Sequence, residues 1–350
     1  MTANPELQQS YRIQKETKEI KEIICRSHKK MRPLQTIHKK WYYMINRVLI
    51  RLKVIQVVYA YYKNSGKSIK AAEDEVFFSL SKAYDLYKFL LLLIVAVTHY
   101  AADRISFNMK KVRPTEADIN PNLKFINNRL ARQIESNEEL IKFAEKSKLD
   151  WVNYSDFLRR LLDSIIESDI YKEYMASDTS SYEEDRELWR KLYKNFIFNN
   201  EDLDTLLEEL SLYWNDDKTI VDTFVLKTIK RFDEKEGALQ RLLPEYKDEE
   251  DIEYAHKLIK AAIQNADEYR TMMSESSKNW DMSRLAFMDV IIMQTALAET
   301  MTFPAIPLSV TLNEYVEIAK YYSTPKSSSF INGLLDTITK KLKSENRINK

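Results

Sequence analysis

Arg47 and Arg51 stand one helical turn apart, and no acidic residue occurs between Met44 and Lys70. Residues at that spacing share one face of a helix, so the two guanidinium groups would present a basic strip suited to phosphate. An ordinary solvated basic face has the same appearance. The wider charge distribution favours an anionic partner: residues 1–70 hold sixteen Lys/Arg against four Asp/Glu, whereas the chain as a whole carries a net charge of only +1. A polyanion would be drawn to one end of the molecule and repelled by much of the rest, the pattern of a localised nucleic-acid footprint.

Other chemistries find little support. His28, His38, His99 and His256 fall in no metal-ligand spacing with one another. Glu253 and His256 form one Glu-x-x-His pair, but carboxylate-bridged di-iron bundles need two such pairs and further glutamates. His256 reads better as a satisfied surface histidine. Cys25 is the only cysteine, which excludes an internal disulfide or a thiolate zinc site and suits a reducing cytoplasm. Three glycines in 350 residues leave no P-loop and no dinucleotide fingerprint, and no Gly-x-Ser-x-Gly motif occurs. We expect no catalysis, cofactor or metal. The longest apolar run, Phe89 to Val97, is too short for the roughly 20 residues of a membrane helix.

The scarcity of glycine and proline beside abundant leucine, lysine and glutamate predicts an all-α protein. Met44 to Lys63 repeats apolar residues at three- and four-residue steps through Ile45, Leu49, Leu52, Ile55, Tyr59 and Tyr62, an amphipathic helix. Asn64 to Gly66 signals a turn. A long apolar helix should then run from Ile69 to about Ala102, and a proline-bearing linker from Asp103 to Pro121. Helices are expected over about 122–147, 154–175, 182–198, 201–213 and 217–233. Residues 201–253 carry seventeen acidic and seven basic side chains, a surface that should repel RNA. Asp251 to Met273 predicts another helix, with Ile252, Ala255, Ile259 and Ala262 inward, followed by an apolar helix from Arg284 to Met301.

The C-terminal stretch is the most distinctive. Thr311 and Glu314 have the spacing of a capping box ahead of Leu312, Tyr315, Val316 and Ala319 on one face. Pro325 stops that helix, the serines 327–329 offer the next cap, and Ile331, Leu334, Leu335, Ile338 and Leu342 form the stripe of the last helix. Gly333 lies within it, where glycine costs about 1 kcal/mol relative to alanine; close approach of another helix or of a ligand backbone is the expected compensation.

The run Val310 to Lys320, a short polar turn and Phe330 to Ile338 resemble the C-terminal signature of the NusB family of bacterial transcription antitermination factors. The helix bearing Asp289, Ala296 and Glu299 is similar to the family, and so is the first helix, where Arg47, Arg51, Gln56 and Tyr59 match its pattern. The resemblance implies a NusB-like helical bundle divided between residues 44–79 and 246–343, with 80–245 an inserted acidic helical region absent from ordinary members. Residues 1–43 then read as a basic N-terminal extension or as an over-long start, and 344–350 as a tail.

The resemblance further implies a non-catalytic RNA-binding factor of transcription antitermination or termination. Its partners would be boxA-type single-stranded RNA of nascent ribosomal RNA, the ribosomal protein NusE and the transcription elongation complex. Arg47, Arg51, Lys53, Lys320 and Lys326 would meet phosphates, Tyr59 and Phe330 would stack on bases, and Gln56, Ser327 and Asn332 would complete the RNA site. Asp289 matches an acidic position near the NusE interface. Val48 and Leu49 stand where the family often has further arginines, which implies weaker RNA affinity through this helix unless Lys53 or the extension supplies charge. The competing reading is a helical protein-interaction scaffold whose working surface is the acidic insertion, with little or no RNA binding.

Overall fold

The computed structural model describes residues 44–64, 68–277, 285–324 and 327–350, and these form helices and no strand. Lys326, Arg284, Gly66 and the basic extension 1–43 lie outside the described residues. The described residues divide into two compact units, one within 50–77 and 248–350, the other within 44–49 and 78–247. The division falls within α1 (Arg47–Lys63) and α2 (Ile69–Met109). No helix among the described residues is long and apolar enough to cross a membrane.

In the first unit, α11 (Glu249–Gln264), α12 (Ala266–Ser276), α13 (Phe287–Thr302), α14 (Leu308–Tyr322) and α15 (Ser327–Ser344) pack around α13, which touches the other four. Every residue from Ile291 to Thr300 is buried. A helix that is apolar around its whole circumference must be enclosed, and the sequence of α13 has only two acidic residues, Asp289 and Glu299. Ile331, Leu334, Leu335, Ile338 and Leu342 of α15 are all buried, as their spacing predicts. Asp251 to Met273 is broken at Asn265 into α11 and α12, so the expected single helix is two.

The second unit contains α3 (Glu116–Ile119), α4 (Arg129–Glu135), α5 (Glu138–Ser147), α6 (Ser155–Glu167), α7 (Asp169–Ala176), α8 (Tyr182–Leu192), α9 (Glu201–Leu210) and α10 (Lys218–Arg231). Two expected helices are subdivided by capping side chains. Asn137 accepts the Leu140 amide at 3.2 Å and separates α4 from α5. Ser168 accepts the Tyr171 amide at 3.2 Å and separates α6 from α7. Asn and Ser compete with helical backbone bonds wherever they can satisfy a new helix start. Helix α2 also outlasts its predicted end near Ala102, reaching Met109, because Asp103 to Met109 contains no proline or glycine to stop it.

The proposed capping box is absent. Helix α14 starts four residues after Pro304, with Pro307 at its N-cap, so Thr311 is already inside the first turn's end and its hydroxyl is committed to Glu299. Proline tolerates that entry because the first amides of a helix have no intrahelical acceptor.

Candidate nucleic-acid interface

The two arginines of α1 do not share a surface. Arg47 is partly exposed, whereas Arg51 is 3% exposed and enters the core of the first unit. Its Nε donates to Glu299 Oε2 at 2.7 Å and its Nη2 to Oε1 at 2.9 Å. Glu299 also accepts from Tyr254 Oη (2.5 Å), Thr311 Oγ1 (2.8 Å) and Tyr315 Oη (3.1 Å), and Glu314 approaches Arg51 to 3.6 Å. A bidentate pair with additional hydroxyl donors is what a buried charge requires. Lys53 is buried as well. The reading of Arg51 and Lys53 as surface phosphate contacts is therefore corrected: neither side chain is exposed to a strand of RNA.

Burial raises the Glu299 carboxyl, but the Arg51 hydrogen bonds and charge and the hydroxyls of Tyr254 and Thr311 outweigh it and hold the carboxyl below the ordinary range. Burial pushes the neighbouring Glu314 the other way, up.

Asp289, the other acid of α13, is also buried. It accepts the Ser327 hydroxyl at 2.8 Å and that of Ser323, and Ser323 in turn reaches Ser327 at 2.9 Å. This network ties the end of α14 and the first residue of α15 to the central helix. Asp289 and Ser327 are thus turned inward, and together with Ser323 they position the entry into α15. Lys320 is exposed and pairs with Glu317, Phe330 is half-buried, and Asn332 and Gly333 are exposed. Among the described residues, no heavy atom outside its own helix backbone and its chain neighbours lies within 4 Å of a Cβ built on Gly333, so none of them supplies the close approach expected there.

An aromatic cluster stands on the surface of the same unit. Tyr59 of α1 meets Phe287 of α13 with ring centroids 5.3 Å apart, and Tyr62 meets it edge-on at 6.5 Å. The exposed Lys63 ammonium lies 5.6 Å from the Tyr59 ring and 5.1 Å from Phe287. On the other side, the Arg270 guanidinium covers Tyr62 at 4.4 Å and donates to Gln294 Oε1 at 3.1 Å. Tyr59, Tyr62 and Phe287 are each half-buried, with Lys63 beside Tyr59 and Phe287 and Arg270 beside Tyr62. Gln56, one turn before Tyr59, is half-buried too. Sequence reasoning found Tyr59 but missed Phe287, Tyr62 and Lys63. The signal was present: Tyr59, Tyr62 and Lys63 are i, i+3 and i+4 on one helix.

Residues 222–340 match the NusB family. The chain is 30% identical over 132 residues to the transcription antitermination protein NusB of Salinibacter ruber, covering 82% of that protein and 36% of this chain. The chain belongs to the NusB family. The NusB of Chloroherpeton thalassium is 38% identical over 98 residues, which are 46% of that protein and 28% of this chain. That of Dictyoglomus thermophilum is 39% identical over 87 residues, 60% of it and 25% of this chain. The alignments with these last two thus span about half of each relative's length. No solved structure matches the chain.

Among the described residues no group of three or more His, Cys, Asp or Glu side chains is placed to hold a metal ion. His256 Nδ1 contacts the Glu73 carboxylate, and its ring packs on Phe77 at 4.2 Å.

Proposed function

We propose that this NusB-family chain is a non-catalytic factor of transcription antitermination that binds single-stranded RNA in the cytoplasm. The observation that carries the reading is the surface cluster of Tyr59, Tyr62 and Phe287 flanked by Lys63 and Arg270. Single-stranded RNA is held by bases stacked on aromatic rings and by phosphates paired with cations, and this cluster offers both within one unit. Arg47, Gln56, Lys320, Lys326, Phe330 and Asn332 keep their proposed RNA contacts. The RNA would be of boxA type, with NusE and the elongation complex as partners, and residues 80–245 would be an insertion in the family's bundle.

The test is a fluorescence-anisotropy titration of a boxA-type oligomer, with and without NusE, at two salt concentrations. Selective binding that NusE tightens is expected, with a log-log salt slope of about −0.7 per phosphate neutralised. Absence of selective binding, even with NusE, would overturn the reading. The burial of Arg51 and Lys53 favours a second reading, a protein-interaction scaffold working through residues 80–245; deleting that region would then abolish a protein contact and leave RNA affinity unchanged.

A further inference from the structure

The second unit has a cleft of about 880 Å³ between α2, α5 and the turn after α9. Its volume is within the range of small-molecule sites. Although this part of the sequence is acidic, the cleft is lined by four lysines: Lys82 and Lys88 from α2, Lys142 and Lys146 from α5. The two carboxylates that line it are already engaged. Asp85 pairs with Lys82 at 3.0 Å, and Glu139 Oε1 accepts the Leu242 amide at 3.3 Å.

The remaining positive charge is incompletely met. Lys88 is half-buried, its ammonium 3.9 Å from the centre of the Tyr84 ring and 5.3 Å from Phe143, and it forms no ion pair within 4 Å among the described residues. Burial pulls its pKa down despite the charges of Asp85, Glu245 and Glu139, and burial pushes the nearby Glu245 up. Lys142 reaches only the exposed Glu138 of its own helix at 3.6 Å, and Lys146 makes no ion pair among the described residues. Lys142 and Lys146 are one turn apart and so lie on the same face of α5.

Three serines, Leu149, Leu210 and three aromatic residues complete the lining. Phe143 and Trp214 are buried, and Trp214 is fixed by donating its indole N–H to the Lys82 carbonyl at 2.8 Å. Tyr213 is half-buried and sits edge-on to Phe78 at 5.2 Å. Ammonium groups recognise phosphate as point charges, and a flat ring can stack beside them. We propose that this cleft binds a free nucleotide, with its phosphates on Lys88, Lys142 and Lys146 and its base against Tyr213. An acidic peptide fits less well, because it makes no use of the aromatic wall.

The inference is independent of RNA binding through the Tyr59 cluster. Isothermal titration of the full chain with ATP, inorganic tripolyphosphate and a single-stranded RNA oligomer tests it, with the Lys142→Gln/Lys146→Gln double variant and with Tyr213→Ala. Both lysines are exposed, so the double variant should fold as the parent does. ATP should bind, more tightly than tripolyphosphate, and lose about tenfold or more in affinity in the double variant. Tyr213→Ala should bring ATP down to the tripolyphosphate level. Absence of ATP binding, or ATP affinity unchanged in the double variant, would overturn the proposal. Binding of RNA alone, lost in the double variant, would overturn it in favour of a nucleic-acid strand. Loss of RNA binding in Tyr59 variants with ATP binding intact would leave it standing.

Discussion

Arg51 and Glu299, 248 residues apart in the chain, meet fork to fork in the core of the first unit at 2.7 and 2.9 Å. Together with Tyr254, Thr311 and Tyr315 they link α1, α11, α13 and α14 through one carboxylate. Removing one member leaves the other charge buried and unpaired, which costs about 3–5 kcal/mol. Arg51→Ala and Glu299→Ala should each lower stability by that order in urea denaturation. The Arg51→Met/Glu299→Leu double variant should lose much less than the sum of the single changes, because no uncompensated charge remains.

The same carboxylate sets an acid limit. The Glu299 carboxyl is held below its ordinary value in the folded protein, so its contribution is fully present above about pH 4.3, where the unfolded group is ionised. It is lost as pH falls through the folded value. Glu314, pushed up by burial, acts in the opposite sense: it favours the fold below the ordinary range and loses that contribution as pH rises. Unfolding free energy measured from pH 7 downward should therefore decline steeply in the acid range. Glu299→Gln should flatten that decline while lowering stability at pH 7.

Much of this arrangement was legible in the sequence, and the pairing of its charges was not. Helical periodicity located α1 and α15 and the enclosed α13, because an apolar stripe is a local property. The same periodicity put Arg51 beside Arg47 on a surface, since i and i+4 are neighbours on any helix. What buries Arg51 is an acid 248 positions away, and local spacing carries no information about it. One signal was available: Asp289 and Glu299 are the only acids in α13, and both became anchors of buried networks. The Thr311–Glu314 box failed for a related reason, as the threonine hydroxyl found a buried carboxylate instead of a backbone amide.

Asp289 is expected to hold the entry into α15 through Ser323 and Ser327. Asp289→Ala would remove the carboxylate that accepts from the buried Ser327 and half-buried Ser323 hydroxyls, at a cost of about 1–3 kcal/mol. Hydrogen exchange should show the first turn of α15 losing protection before the rest of the helix. Uniform loss of protection across the unit would instead make Asp289 a general core residue.

The Tyr59 cluster separates stacking from folding. Tyr59→Ala and Phe287→Ala remove half-exposed rings, and each should weaken RNA binding by about 1–3 kcal/mol with little change in the salt slope, since no phosphate contact is lost. Lys63→Gln should do the reverse, reducing the magnitude of the slope by about 0.7. Anisotropy titrations at several salt concentrations distinguish the two effects. Unchanged affinity in all three variants would remove the cluster from the RNA site.

Gly333 provides a test of whether α15 meets a partner. It is exposed, helical, and surrounded by open space where a Cβ would project, so Gly333→Ala should stabilise the isolated chain by about 0.5–1 kcal/mol. Thermal denaturation reads that gain. If Gly333 serves an intermolecular contact, the same variant should bind RNA or NusE more weakly while being more stable, because the added methyl group obstructs an approach made only in the complex. A variant that is more stable and binds both equally well would show that the glycine answers to no such contact, and would move attention along the exposed face to Asn332.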